Sequence, residues 1–204
     1  MSDHIIETEQ VGPYTVEVVY DPYCENPREW CDHESVMVCF HKRYDLGDKD
    51  KHDYHSEHYT SWAELEEAIE RDYPRCVILP LYIYSHGGGG IAISTSPFSC
   101  PWNSGRLGLI FLSEDGIKTI YGVTEITPEL RERAEGLLQE EVREYDDWGQ
   151  GRCCGWIVKN KDGNVVDSCW GYIGDTSYPL DEGIRSAKWL IGHEQKTKHI
   201  YAIQ

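Results

Sequence analysis

Between Tyr73 and Ser113 the chain runs 41 residues without a single carboxylate, although Asp and Glu number 36 across its 204 residues. This segment holds the apolar runs CVILPLYIY and LGLIFL on either side of a Gly- and Ser-rich stretch. Such runs are too apolar to be left in water. They are expected to supply the central strands of the core.

The acids lie on either side. Residues 1–20 carry 4 acids and no bases, 21–72 carry 15 and 6, and 114–147 carry 11 and 4, whereas 148–204 carry 6 and 7. Against 19 Lys and Arg the formal net charge is -17. That balance argues against a conventional nucleic-acid surface, which draws its affinity from cations that displace phosphate counterions. It does not imply disorder, because 7 Trp, 14 Tyr and a hydrophobic content of 40 % provide ample material for a core. The opening MSDHIIETEQ has no basic stretch followed by an apolar run, and no later segment approaches the roughly 20 apolar residues of a membrane span. A soluble cytoplasmic protein is expected.

The length suits one domain over 1–204. Within it the reading gives an acidic N-terminal third (1–72), an apolar sheet core (73–113), an acidic helical segment (114–148) and a C-terminal hairpin and helix (149–204). Runs rich in β-branched and aromatic residues mark strands at Val16–Tyr20, Val36–His41, Val77–Tyr84, Ile91–Ser94, Leu107–Leu112, Gly155–Lys159 and Val165–Tyr172. Asp162-Gly163 joins the last two as a hairpin. Ser61 with Glu64 has capping-box form, and Thr127-Pro128 opens a helix to about Trp148, with Leu130, Ala134, Leu137, Leu138, Val142 and Tyr145 along one stripe. Shorter helices are predicted at Ser113–Tyr121, closed by Gly122, and at Leu180–Ile191. Strands and helices do not alternate strictly. The predicted fold is therefore α+β, a mixed or antiparallel sheet with helices packed mainly on one face.

Eight Cys without a secretory signal read as thiols rather than as a disulfide framework. Cys24, Cys31, Cys39 and His41 are the candidate metal ligands, but no C-x-x-C pair supports them and no metal or cofactor is expected. His52, His55 and His58 fall in a very polar stretch that reads as a solvated loop. Ser85-His86 followed by four Gly superficially matches an oxyanion loop, yet no G-x-S-x-G nucleophile elbow accompanies it. In Phe98-Ser99-Cys100-Pro101-Trp102-Asn103-Ser104-Gly105, Cys100 is a candidate nucleophile, His86 its base and Asn103 a third member. A tight turn with Cys100 as a small buried group is the competing reading.

Several motifs resemble, in the same order and over about residues 20–175, a family of proteins carried by phages, plasmids and integrative elements. They are Asn26-Pro27-Arg28-Glu29-Trp30, Met37-Val38-Cys39-Phe40-His41, Tyr44-Asp45-Leu46-Gly47-Asp48, Leu79-Pro80-Leu81-Tyr82, Phe98-Ser99-Cys100-Pro101-Trp102 and Asp167-Ser168-Cys169-Trp170-Gly171. The family reads Asp-His-Ser-Gly where this chain has Ser85-His86-Gly87-Gly88, and an Asp where it has Asn103. Both departures remove a carboxylate. The resemblance implies a mobile-element context and a host-cell location, and the lost acids favour binding over catalysis. Glu129, Glu132, Glu140, Glu144 and Asp147 fall on the helix face opposite the apolar stripe. They are the candidate binding residues for a basic host surface, such as a defence nuclease blocked by a nucleic-acid mimic of anti-CRISPR or antirestriction type. No direct nucleic-acid or membrane binding is expected. The alternative is a small cysteine/histidine enzyme or zinc-binding protein.

Overall fold

A computed structural model of the chain describes residues 4–30, 33–86 and 90–201, with His86 and 194–201 described by backbone alone. In chain order the strands are β1 (Ile5–Val11), β2 (Tyr14–Tyr20), β3 (Ser35–Cys39), β4 (Val77–His86), β5 (Gly90–Ser94), β6 (Ser104–Leu112), β7 (Cys153–Lys159) and β8 (Val165–Ile173). The helices are α1 (Trp62–Asp72), α2 (Glu114–Tyr121), α3 (Pro128–Gly149) and α4 (Ser177–Tyr201). The fold is α+β with two four-stranded antiparallel sheets. Two compact units contain them, one from Met1–Glu25 with Gly151–Gln204, the other from Asn26–Gln150.

The first unit orders its sheet β1-β2-β7-β8. Tyr14 and Val16 of β2, Trp156 and Val158 of β7 and Ala187 of α4 form its core. The indole N–H of Trp156 donates to the Tyr172 hydroxyl at 3.0 Å, which satisfies the one polar atom that a buried Trp brings. The β1–β2 hairpin turns at Gly12 with φ +59°. Its first strand, IIETEQV, is largely exposed and carries few apolar residues, so hydrophobic patterning does not reveal it.

The second unit orders its sheet β3-β6-β4-β5, so residues 77–112 supply three of its four strands. In β6, Gly108 lies opposite Cys39 on one side and Leu81 on the other. An added Cβ there would meet the Val38 carbonyl oxygen at 1.9 Å, so only glycine lets β3 and β6 approach. A register shift next to Leu107 sends that side chain to the same face as Ile110 and Leu112, while Leu109 and Phe111 face the other way. Pro80 is tolerated inside β4 because β5 pairs only from Tyr82 onward, leaving the Pro80 half with β6 alone.

Both faces of this sheet are covered. Ile117 of α2 and Ala134, Leu138, Val142 and Tyr145 of α3 close one face, and Leu65, Ala68 and Ile69 of α1 close the other. β6 is apolar on both sides, so one layer of helices leaves half of it in water. Each large side chain fully buried here contributes about 1.5–3 kcal/mol. The helices begin where their capping residues stand: Ser61 Oγ accepts from Glu64 N–H at 3.2 Å, Ser113 Oγ from Gly116 N–H at 3.0 Å, and Thr127 Oγ1 from Leu130 N–H at 3.3 Å.

Candidate functional site

The Asn26-Pro27-Arg28-Glu29-Trp30 motif forms a single helical turn over Pro27–Glu29, with Asn26 Oδ1 accepting from Arg28 N–H at 3.0 Å. This turn drives the Arg28 side chain inward, leaving the residue 3 % exposed. Its Nε donates to Asp48 Oδ1 at 3.0 Å and its Nη2 to Asp48 Oδ2, giving a two-point pair. Nη1 donates to Glu141 Oε2 of α3 at 2.7 Å, and both Nη atoms reach Ser35 Oγ at 3.1 Å. Ser35 Oγ also donates to Glu141, and His33 Nδ1 lies 3.5 Å from the same carboxylate. A buried guanidinium is tolerable only with partners of this kind.

The charges follow from these contacts. Burial opposes the Arg28 cation, but Asp48 and then Glu141 outweigh it and raise its pKa above the ordinary value. The hydrogen bond to Glu141 raises the His33 pKa against burial and the Arg28 charge. Burial alone raises the Glu141 pKa, yet hydrogen bonds from His33, Ser35 and Arg28 bring it below the usual carboxylate value.

Asp48 also ties down the segment that follows β3. Its Oδ2 accepts from Met37 N–H at 2.8 Å, and its own N–H donates to the Met37 carbonyl at 2.8 Å. One residue earlier, Gly47 has φ +78° and its N–H donates to the Tyr145 hydroxyl at 3.2 Å. With Met37 and Tyr145 holding these two positions, the polar stretch around them walls a cavity of about 410 Å³, lined among others by Phe40, His41, Lys42, Lys49, His52 and Tyr54. A second recess of about 260 Å³ shares Phe40 and adds Tyr59 and Trp62. Burial lowers the pKa of His52, despite the opposing charge of Asp48. Cys39 lies at the same wall, where burial pushes its thiol pKa far up.

Of the other candidates from the sequence, the structure describes only some. Cys100 is half-buried in a turn where Ser104 Oγ donates to its carbonyl at 2.5 Å, and the Asn103 carbonyl accepts from Ser85 N–H at 2.8 Å. The neighbouring Trp102 projects outward at 92 % exposure rather than packing into that turn. His86 ends β4, and its side chain lies outside the described residues. Among the metal candidates, Cys31 also lies outside them, Cys24 belongs to the first unit, and Cys39 and His41 belong to the second. Among the described residues no group of three or more His, Cys, Asp or Glu is placed to hold a metal ion. Cys153 and Cys154, adjacent on β7, are both buried.

On α3, Glu129, Glu132 and Glu140 are exposed, while Glu144 and Asp147 are half-buried. Glu140 pairs with Arg143, and Arg133 lies over the Tyr121 ring, so basic residues punctuate the acidic face. Glu141, adjacent in sequence to Glu140, belongs instead to the Arg28 network. Sequence reasoning missed that network, although three of the quoted motifs contain Arg28, Met37 and Asp48. Among the described residues no helix is long and apolar enough to cross a membrane. No protein-family model, curated protein or solved structure matches the chain.

Proposed function

We propose that this protein is an accessory factor of a phage or plasmid that acts in the host cytoplasm by binding. In this reading it is an anti-defence inhibitor of anti-CRISPR or antirestriction type. Its carboxylates occupy a basic groove of a defence nuclease that otherwise holds nucleic acid.

The observation that carries the reading is the exposure of Glu129, Glu132 and Glu140 on α3, within a unit that has 24 acids and 12 bases. Carboxylates so placed can compete with phosphate for Arg and Lys through the same charge-assisted hydrogen bonds. The enzymatic alternative calls on Cys100 and His86, and Cys100 is half-buried in its turn.

The test is displacement of fluorescent duplex DNA from purified RNA-guided and restriction nucleases, followed by anisotropy. The expected result is release of DNA from at least one of them, weakening steeply as salt is raised. No release from any of them at low salt would overturn the reading.

A further inference from the structure

The cavity between the end of β3 and the His52 segment has a lining opposite in character to the rest of this acidic chain. Four of the second unit's 12 basic residues, Lys42, Arg43, Lys49 and Lys51, fall within ten residues of one another there. Two of them, Lys42 and Lys49, line the cavity, with Glu57 as its one carboxylate. Lys49 is partly neutralised by Asp45, and the nearby Asp48 charge is taken up by Arg28. Among the described residues Lys42 has no carboxylate partner.

Of the three lining imidazoles, His41, His52 and His55, the first two are held in one tautomer. His41 Nδ1 accepts from the N–H groups of Arg43 at 3.2 Å and Tyr44 at 3.1 Å, and His52 Nδ1 accepts from Tyr54 N–H at 3.2 Å. An imidazole whose Nδ1 accepts carries its proton on Nε2. Each ring therefore offers an Nε2–H donor. That of His52 is buried and has no hydrogen-bond partner among the described residues. A buried donor without a partner costs about 1–3 kcal/mol, and a bound acceptor relieves that cost.

We propose that this cavity is a binding site for a phosphate monoester, whose oxygens accept from His41 and Lys42 and, once the His52 ring turns its covered Nε2–H toward the cavity, from His52 as well. The donors and ammonium groups select an oxyanion, and a tetrahedral dianion can use more of them at once than a flat carboxylate can. The volume of about 410 Å³ exceeds what bare phosphate fills, and Phe40 and Tyr54 give the remainder an apolar wall suited to the organic part of an ester. The site is separate from the carboxylates of α3 and does not depend on the inhibitor reading.

The test is a titration of the ¹⁵N-histidine-labelled protein, followed at the ring nitrogens. Inorganic phosphate, a nucleoside monophosphate and acetate are added in separate arms. The expected result is a saturable shift of His52 Nε2 with both phosphates, at a Kd on the order of 1 mM or tighter, and none with acetate. His41→Gln and Lys42→Met should each weaken phosphate binding roughly tenfold, and Lys42→Met, at an exposed position, should do so without lowering Tm in phosphate-free buffer. Absence of a saturable shift with either phosphate would overturn the proposal. So would an equal response to acetate, or unchanged affinity in both variants.

Discussion

Arg28 and Asp48, 20 residues apart, meet through two parallel hydrogen bonds in a setting where neither side chain is more than 2 % exposed. The pair joins the turn before β3 to the segment after it, and Glu141 extends the linkage to α3. Replacing one partner leaves the others charged, buried and unmatched. Arg28→Met is expected to destabilise the fold by about 3–5 kcal/mol, read from urea denaturation midpoints at constant slope. Arg28→Lys should also destabilise, since an ammonium cannot reproduce the two-point geometry. A loss below about 1 kcal/mol for Arg28→Met would show that the network is not what holds this region together.

The network has a defined pH signature. The His33 pKa is raised above its ordinary 6.5, so its contribution is complete below that value and is lost as pH rises through the folded pKa. The Glu141 pKa is lowered below its ordinary 4.5, so its contribution is present above that value and is lost as pH falls through the folded pKa. The two contributions coexist fully between pH 4.5 and 6.5. Scanning calorimetry from mildly acidic to mildly alkaline pH should therefore show Tm falling on the alkaline side. His33→Gln should flatten that fall, and an unchanged slope in the variant would assign it to other groups.

Gly47 is constrained in two ways. Its φ of +78° suits glycine, and an added Cβ would lie 2.5 Å from the Met37 carbonyl oxygen. Gly47→Ala is expected to cost about 1–3 kcal/mol and to disturb the Asp48 contacts next to it. Retention of full stability, together with an unshifted Met37 amide resonance, would contradict this role.

The thiols should divide by burial. Cys169 is exposed on β8, whereas Cys39, Cys153 and Cys154 are buried. Burial pushes Cys153 up to about 12 and Cys154 up to about 11, and raises Cys39 as well. Brief treatment of native protein with N-ethylmaleimide, followed by peptide mass spectrometry, should find the label on Cys169 before any of the other three. Labelling of Cys39 at the rate of Cys169 would contradict its placement in the core.

Much of the fold is legible in the sequence because its signals are local. Ser61, Ser113 and Thr127 cap the helices they precede, and the stripe from Ala134 to Tyr145 turns inward as its spacing requires. The exposed strand Ile5–Val11 is not legible, because it adds few apolar residues to any core and is held by backbone pairing. The Arg28 network escapes for a different reason. Arg28, Ser35, Asp48 and Glu141 are far apart in the chain, and each alone reads as ordinary surface polarity in an acidic protein. Helical periodicity places Glu140 and Glu141 side by side in sequence, but only the packing of α3 determines that Glu140 meets water and Glu141 meets Arg28.

The binding reading and the cysteine reading require different residues, so one head-to-head titration separates them. The triple variant Glu129→Gln/Glu132→Gln/Glu140→Gln and the single variant Cys100→Ala are each added to a nuclease holding labelled DNA that the parent protein releases. With exposed charges worth about 0.2–1 kcal/mol each, the triple variant should need on the order of tenfold more protein, while Cys100→Ala should match the parent. Full potency in the triple variant, with potency lost in Cys100→Ala, would contradict the assignment of binding to α3.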